Sequence, residues 1–231
     1  MSFSPIIFYF CIMQHSSYSD SYLHKGQRQQ LVDKLRKLGI SNERVLDAIN
    51  QVPRHFFLDS ALAHFAYENR AFPIAAGQTI SHPHTVAMQT QLLDLNPYEK
   101  VLEVGTGSGY QAAVLAKMGV KVFSIERQHE LYKQLNKFEY LKSFNNIKRF
   151  YGDGFEGLPS YAPFDKIIVT AAAPFIPEKL LDQLKIGGIM VIPVGDEEQE
   201  MRRIIKNENG YHEEIIGKAF FVPMLSGKQK G

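Results

Sequence analysis

The sequence predicts an α/β fold built around a doubly wound, mostly parallel β-sheet. A short apolar strand runs directly into a glycine-rich turn and a helix at residues 101–118. A second apolar strand follows at 121–125, and further strands alternate with helical stretches as far as residue 195. Strands that alternate with helices in this way are typical of parallel sheets with helical crossovers.

The chain is long enough for one substantial domain and too short for two of ordinary size. It has 231 residues, of which 45% are hydrophobic. We expect residues 1–19 to be a dispensable extension and residues 20–231 to form a single domain. Within that domain we expect a mostly helical lid, a cofactor-binding core and a region of antiparallel strands, at 20–95, 96–195 and 196–231 respectively.

Helical periodicity predicts two helices at the start of the lid. Leu31, Leu35 and Leu38 recur at helical spacing, so they should face the core. Ser41 is expected to cap a second helix, which Pro53 then ends. The basic residues between these leucines fit a solvated helix face.

The turn after the first strand carries the strongest functional signal. It consists of Gly105, Thr106, Gly107, Ser108 and Gly109, and an alanine-rich helix follows at once. Glycine adopts positive φ and has no Cβ, so the backbone can approach a ligand closely, while the helix start offers unpaired N–H groups. We therefore expect these five residues to bind an adenosine-containing cofactor. An ordinary strand-to-helix turn is the alternative.

A carboxylate follows the glycines at a meaningful distance. The second strand, Lys121–Ile125, ends at Glu126, about 20 residues beyond the turn. Because the carboxyl ends of neighbouring parallel strands meet at one edge of the sheet, Glu126 is expected to accept both hydroxyl hydrogens of a ribose.

Two later strands should bring further residues to the same edge. Asp153 and Gly154 follow a strand at Ile147–Tyr151, while Thr170 follows a strand at Lys166–Val169. We expect Asp153 to face an adenine amino group with Gly154 beside it, although Gly-Asp-Gly is also a common turn sequence. The rest of the chain predicts a helix around 180–184, a fifth strand at 189–193 and antiparallel tail strands at 201–205, 211–216 and 219–222.

An unusually polar segment at 76–85 precedes a helix that Pro83 can open. Thr79, Ser81 and His84 therefore meet at one helix N-terminus. More polar side chains gather here than a helix cap requires, so we expect them to bind a ligand, with simple capping as the alternative.

Two classes of cofactor fit this sheet. The stretch 107–112 satisfies the dinucleotide pattern Gly-x-Gly-x-x-Ala in a shifted register, which leaves an NAD-dependent oxidoreductase open. Glu103, just before the turn, suits the amino group of a methionine moiety better than a pyrophosphate, whose charge it would repel. The long lid and the Gly-Asp-Gly turn also favour S-adenosylmethionine.

The charge balance gives no indication of a polyanionic partner. There are 26 Lys and Arg residues against 24 Asp and Glu, for a net charge of +2. A charge this small, spread over both signs, produces no global field toward nucleic acid or an anionic membrane. We therefore expect neither as a partner.

The single cysteine, Cys11, excludes an internal disulfide framework and a cysteine-based metal cluster. The eight histidines show no metal-ligand spacing, so no metal is expected. The apolar run Pro5–Met13 is too short to span a bilayer, and it lacks the preceding base and the cleavage site of a signal peptide. These features favour a cytoplasmic protein.

Four stretches of the chain together resemble the protein-L-isoaspartate (D-aspartate) O-methyltransferases. They are Gly77–Ser81, Val101–Ala113, Asp165–Ala172 and Phe221–Pro223. The glycine motif is shared by many methyltransferases, whereas the first and third stretches are more specific to this family. Asn69 stands where the family often has an acid.

The resemblance implies the Rossmann-like fold of class I S-adenosylmethionine-dependent methyltransferases. It also implies a cytosolic, usually monomeric repair enzyme with S-adenosyl-L-homocysteine as its product. Such an enzyme methylates the free carboxylate of L-isoaspartyl and D-aspartyl residues in damaged proteins. Ser81 matches the position usually assigned as the active-site residue.

This chemistry needs no general base, because a carboxylate is already ionised at neutral pH. The site must instead align the reacting atoms and exclude water. We expect Ser81 to position the carboxylate by hydrogen bonding, with Thr79, His84, Thr170 and Ala171 assisting. A methyltransferase for small molecules or RNA and a non-enzymatic binding module stay open as alternatives.

Overall fold

The computed structural model describes residues 19–230, so the apolar run near the start and all but the last residue of the expected extension at 1–19 lie outside the described residues. The lid begins with helices α1 (Tyr22–Lys37) and α2 (Glu43–Gln51). Three short 3-10 turns follow, at Arg54–Phe57, Ser60–Phe65 and Ala75–Gly77, interleaved with a two-stranded hairpin of β1 (Phe72–Pro73) and β2 (Thr79–Ile80). Helix α3 (Pro83–Leu92) completes the lid and opens at Pro83, as predicted.

The core alternates strands and helices, as the sequence indicates. Its elements are β3 (Lys100–Val104), α4 (Tyr110–Lys117), β4 (Lys121–Glu126), α5 (His129–Lys137), α6 (Glu139–Lys142), β5 (Ile147–Tyr151), a 3-10 turn at Pro159–Tyr161, β6 (Phe164–Val169), α7 (Glu178–Gln183), β7 (Leu184–Val194), β8 (Gln199–Asn207) and β9 (Gly210–Ala219).

Seven strands form the main sheet in the order β5-β4-β3-β6-β7-β8-β9. The first five in this order are parallel, while β8 and β9 pair antiparallel at the far edge. From β3 the chain moves outward through β4 to β5 and then returns to place β6 on the other side of β3. This reversal makes a topological switch point, where ligands bind in open α/β sheets. The fold prediction is confirmed.

The lid and the core share hydrophobic packing. Leu35 of α1 and Ile49 of α2 are buried in the same apolar cluster as Leu115 of α4 and Val101 of β3. The opposite face of the sheet packs a second cluster around Phe164 and helix α7. The lid therefore covers one face of the sheet as an integral layer.

Two local predictions were wrong. Asn42, not Ser41, caps α2, because its side-chain oxygen accepts from the backbone N–H groups of Arg44 and Val45. The N–H of Ser41 instead donates to Gln91 Oε1 at 2.8 Å, a partner 50 residues away. The tail has two strands rather than three, since β9 runs continuously to Ala219 and the segment after it is irregular. No helix within residues 19–230 is long and apolar enough to cross a membrane.

Candidate active site

A cavity of about 900 Å³, counting its open mouth, lies at the switch point. The carboxyl ends of β3, β4 and β6 form its floor. Most of the predicted site residues line it: Thr79, Ser81, Gly105, Thr106, Gly107, Ser108, Glu126, Gly154, Thr170 and Ala171.

The glycine turn makes a bare backbone cradle on this floor. Gly105 has φ +97°, and a Cβ there would lie 2.5 Å from Thr170 Oγ1. The Thr170 hydroxyl donates to the carbonyl oxygen of Gly105 at 2.6 Å, so it ties the end of β6 to the turn. Gly109, with φ +84°, begins α4 and packs against Leu141 outside the cavity. A side chain at Gly105 would therefore disturb the cradle itself.

Glu126 closes the cradle from the neighbouring strand. Its side chain is only 4% exposed, and its two oxygens accept from the backbone N–H groups of Gly107 and Gln128 at 2.9 and 2.7 Å. Burial raises the pKa of Glu126, while these N–H groups act in the opposite direction. Each carboxylate oxygen keeps acceptor capacity beyond its one backbone bond, as a ribose diol would need.

Glu103 lies beneath the turn and does not line the cavity. It is 0% exposed, the Ser124 hydroxyl donates to its Oε2, and Ser124 is 2.6 Å from Thr106 Oγ1. Oε1 has no hydrogen-bond partner among the described residues. Burial raises the pKa of Glu103 to about 8, so this carboxyl keeps its proton at neutral pH. Its visible contacts support the turn from below.

Another side of the cavity carries residues that were predicted to bind the methyl-accepting substrate. Thr79 and Ser81 line the cavity immediately before α3 begins. Asn69 Oδ1 accepts from the backbone N–H of His84 at 2.9 Å and thus caps α3 from a separate loop. The His84 ring does not line the cavity, because its Nε2 lies 3.3 Å from the Leu38 carbonyl oxygen.

The segment after β9 forms a third wall that the sequence reasoning did not place in the site. Residues 222–225 line the cavity, and the N–H of Met224 donates to the Ala172 carbonyl at 2.7 Å. Asp153 holds this segment, because its Oδ2 accepts from the N–H of Gly227 at 2.6 Å. Its Oδ1 accepts from Phe155 N–H, so Asp153 braces the wall and does not line the cavity.

Gln111 is a second residue that the sequence reasoning missed. It lines the cavity from the first turn of α4, and its Nε2 donates to Thr90 Oγ1 at 2.9 Å. Its Oε1 is buried and has no partner among residues 19–230. A glutamine two residues after the last glycine of the turn was the only sequence signal for it.

These features fit S-adenosylmethionine. The bare backbone at Gly105 and Gly107 leaves room for a nucleoside, and Glu126 offers a buried acceptor beside it. A Cβ at Gly154 would lie 2.6 Å from Val104 Cγ1, so glycine at this position also leaves the cavity floor free of a side chain. Apolar Ile125 and Met224 complete the lining and suit a flat base.

One cluster elsewhere has metal-ligand chemistry. Ligand atoms of Asp20, His24 and His55 lie within 4.8 Å of one another. Both oxygens of Asp20, however, accept from the Arg28 guanidinium at 2.9 Å. The His55 Nδ1 lies 2.7 Å from the Tyr67 hydroxyl. Neighbouring protein groups therefore already occupy much of this cluster's bonding capacity.

Comparison with known proteins gives a consistent result. Residues 26–229 match the family described as Protein-L-isoaspartate(D-aspartate) O-methyltransferase (PCMT). The chain is 53% identical over 210 residues to the protein-L-isoaspartate O-methyltransferase of Christiangramia forsetii, covering 90% of this chain and 99% of that one.

Solved structures agree. One protein-L-isoaspartate O-methyltransferase superposes with a TM-score of 0.78 at 26% identity, covering 85% of this chain and 65% of the other. A Plasmodium falciparum protein described under the same enzyme name, solved with S-adenosyl-L-homocysteine, gives a TM-score of 0.75 at 27% identity. That match covers 86% of this chain and 98% of the other.

Proposed function

The chain belongs to the protein-L-isoaspartate(D-aspartate) O-methyltransferase family, and from this membership we propose how its cavity repairs damaged proteins. The reaction transfers a methyl group from S-adenosylmethionine to the free carboxylate of L-isoaspartyl and D-aspartyl residues. The observation that supports the proposal is that Ser81 and four residues of the glycine turn, Gly105–Ser108, line the same cavity. Acceptor and donor would meet in this cavity.

The cofactor side comprises the glycine turn and its neighbours. S-adenosylmethionine supplies a methyl group on a positively charged sulfur, which makes that methyl electrophilic. Gly105, Thr106, Gly107 and Ser108 would hold the nucleoside through bare backbone, and Glu126 would accept from the ribose hydroxyls. Gly154 would leave space for the base.

The acceptor side needs positioning rather than activation. An isoaspartyl carboxylate is ionised at neutral pH, so no residue has to remove a proton. The Ser81 hydroxyl would donate to this carboxylate and aim one oxygen at the methyl group, assisted by Thr79. Thr170 and Ala171 would close the cavity beside it and exclude water, which strengthens the attraction between the reacting charges.

The other predicted residues would act indirectly, through the residues that line the cavity. Glu103 would hold Ser124 and Thr106 under the turn, and Asp153 would hold the segment after β9 over the cofactor. Gly109 starts α4, which presents its N-terminus to the cavity. His84 would assist through the first turn of α3, which begins next to Ser81.

The protein is further proposed to act as a cytoplasmic monomer without a nucleic-acid or membrane partner. The net charge of +2 supports the absence of a polyanionic partner, since it provides no field toward nucleic acid or an anionic membrane. Light scattering on the purified chain, with and without an isoaspartyl peptide, measures the oligomeric state directly.

Radiolabelled methyl transfer to two peptides that differ only in an isoaspartyl or an aspartyl linkage tests the proposal. Label should appear in a base-labile ester on the isoaspartyl peptide alone. Equal labelling of both peptides, or labelling only of RNA or small molecules, would contradict it. Quenching of reduced nicotinamide dinucleotide fluorescence without methyl transfer would favour the oxidoreductase alternative.

Two variants then distinguish the acceptor side of the cavity from the cofactor side. Ser81→Ala should raise the KM for the peptide and lower kcat, while the Kd for S-adenosylhomocysteine stays unchanged. Glu126→Ala should weaken that Kd by about tenfold or more, as expected on loss of a buried charge-assisted hydrogen bond. The opposite pattern would mean that the acceptor and cofactor sides have been interchanged.

A further inference from the structure

Arg54 is a buried cation without a carboxylate partner. It begins the 3-10 turn after α2 and is 0% exposed. Its Nε donates to the Ala66 carbonyl at 2.9 Å and its Nη2 to the Arg70 carbonyl at 3.3 Å. Its Nη1 has no hydrogen-bond partner among the described residues. No Asp or Glu within residues 19–230 forms an ion pair with it.

Such an arrangement is costly, because a buried charge normally requires an opposite charge nearby. Arg28 of the same lid shows the usual solution, a two-bond pair with Asp20 at 2.9 Å. Burial lowers the pKa of Arg54 to about 10, which still leaves the guanidinium charged at neutral pH. Two neutral carbonyls stabilise this charge without cancelling it.

Arg54 lies behind Tyr110, a residue of the cavity lining. Its guanidinium carbon is 4.9 Å from the centre of the Tyr110 ring, and Tyr110 lines the cavity. Burial lowers the pKa of His82, the residue next to Ser81, and the charge of Arg54 acts in the same direction. The positive charge is therefore one aromatic ring away from the cavity that Ser81 also lines.

The cavity itself offers little positive charge at this end. Its charged lining residues are Glu126 and Arg127. Arg127 donates to the carbonyls of Ser226 and Gly227, so it is turned toward the segment after β9. An acceptor carboxylate entering beside Ser81 would meet no lining cation there among the described residues.

We propose that Arg54 is a positioning residue that selects an anionic acceptor. From behind Tyr110 its uncompensated charge favours a carboxylate beside Ser81 over a neutral amide of the same shape. Its bonds to Ala66 and Arg70 also fix the two ends of the loop that carries Asn69, the cap of α3. The inference rests on the proposed function, because that function supplies the carboxylate.

The experiment compares two peptides with the S-adenosylhomocysteine-loaded enzyme. One peptide carries the isoaspartyl carboxylate and the other the corresponding carboxamide, and fluorescence anisotropy gives a Kd for each. The ratio of the two Kd values measures the preference for the anion. Arg54→Gln should reduce this preference about tenfold, a loss of the size expected when one nearby charge is removed at intermediate dielectric.

Arg54→Lys keeps the charge but not the two-carbonyl geometry. It should keep the preference close to that of the wild type, even where both peptides bind more weakly. Arg36→Gln, which neutralises an exposed arginine paired with Glu43, should change the Kd of neither peptide. The Kd for S-adenosylhomocysteine should stay unchanged in all three variants.

Several results would overturn the inference. If Arg54→Gln kept the wild-type preference for the carboxylate peptide, Arg54 would have no electrostatic role in selecting it. If both variants lost affinity equally for the two peptides, Arg54 would act only through its bonds to the loop that carries Asn69. If Arg54→Gln does not fold, Arg54→Lys tests the proposal by itself. This variant keeps the charge, so a loss of the preference for the carboxylate peptide would contradict the proposal. A wild-type enzyme that fails to methylate isoaspartyl peptides would instead overturn the proposed function.

Discussion

At the residue scale, Glu103 makes stability depend on pH in a direction unusual for a glutamate. Burial raises its folded-state pKa to about 8, against an ordinary value of 4.5. Below pH 4.5 both the folded and the unfolded chain hold the proton. Between pH 4.5 and about 8 only the folded chain holds it. Glu103 therefore lowers the free energy of unfolding progressively as the pH rises through this window, and the loss is complete above it.

Glu103→Gln should remove this dependence, because glutamine keeps the shape of the side chain and cannot ionise. Relative to the wild type, the variant should gain unfolding free energy between pH 5 and pH 9, on the order of a few kcal/mol. Urea titrations of both proteins at pH 5, 7 and 9 measure the difference. The exposed Glu208→Gln serves as a control, and its difference from the wild type in free energy of unfolding should be the same at all three pH values. If the difference for Glu103→Gln also did not change with pH, Glu103 would not be buried as a neutral acid.

Gly105 offers a second test at the residue scale. Its φ of +97° disfavours any side chain, and a Cβ would lie 2.5 Å from Thr170 Oγ1. Gly105→Ala should cost roughly 1–3 kcal/mol of stability. It should also weaken S-adenosylhomocysteine binding by at least about tenfold, equivalent to ~1.4 kcal/mol. Thermal melting and calorimetry measure the two effects.

Gly26→Ala is the matched control for that variant. Gly26 lies inside α1 with nothing within 4 Å of its added Cβ. Alanine there should stabilise the protein by about 0.5–1 kcal/mol and leave cofactor affinity unchanged. If both alanine variants bound the cofactor like the wild type, the cradle would not require a bare backbone.

The sequence predicted the position of the site residues better than the direction of their side chains. The glycine turn and Glu126 could be predicted because their role depends on local backbone and on the end of one strand. Glu103 could not, since its partner Ser124 lies opposite it only in the β3–β4 register. Asp153 likewise turns to Gly227, a contact across 74 residues.

At the scale of elements, α3 depends on a cap from another part of the chain. Asn69 accepts from the His84 N–H at 2.9 Å, while the formal N-cap residue His82 makes no side-chain cap. Sequence patterns detect caps only within a few residues of a helix, so this one was not predictable. The Ser41 error has a different origin, because the actual cap, Asn42, is its direct neighbour and both residue types are good helix caps.

Asn69→Ala should therefore cost about 1 kcal/mol, the usual loss for a helix cap. It should also raise the KM for an isoaspartyl peptide, because Ser81 stands at the start of the same helix. Asn69→Asp should match or exceed the wild-type stability, since it retains the acceptor and adds a negative charge at the helix N-terminus. Melting temperatures and steady-state kinetics measure both.

Asn50→Ala is the control for the cap, because it removes only a surface contact with Gln29. It should leave the KM unchanged. An Asn69→Ala enzyme with wild-type stability and KM would show that α3 does not need this cap.

At the scale of the whole molecule, the sequence indicated alternation and parallel strands but not their spatial order. Apolar periodicity records which residues face the core, whereas strand order depends on the direction that each crossover takes. The consequence for function is large. Because β6 returns beside β3, Thr170 reaches Gly105, 65 residues earlier in the chain.

The shared packing of lid and core makes a prediction about cooperativity. Helix α2 packs against α1, α3 and α4, and Ile49 in its apolar face is 0% exposed. We therefore expect a single unfolding transition for the lid and the sheet. Ile49→Ala should lower the free energy of unfolding by about 2–5 kcal/mol, since it leaves a cavity in common packing.

Far-ultraviolet circular dichroism and near-ultraviolet tyrosine signals should then move together in a urea titration of Ile49→Ala. Ile186→Ala, at a residue that is 60% exposed, should change the free energy of unfolding by little, within about 0.5 kcal/mol. S-adenosylhomocysteine should shift the same single transition upward, because it binds only the folded state. Two separated transitions in Ile49→Ala would mean that the lid unfolds alone, and Ser81 would then be held on a layer that can detach from the cofactor floor.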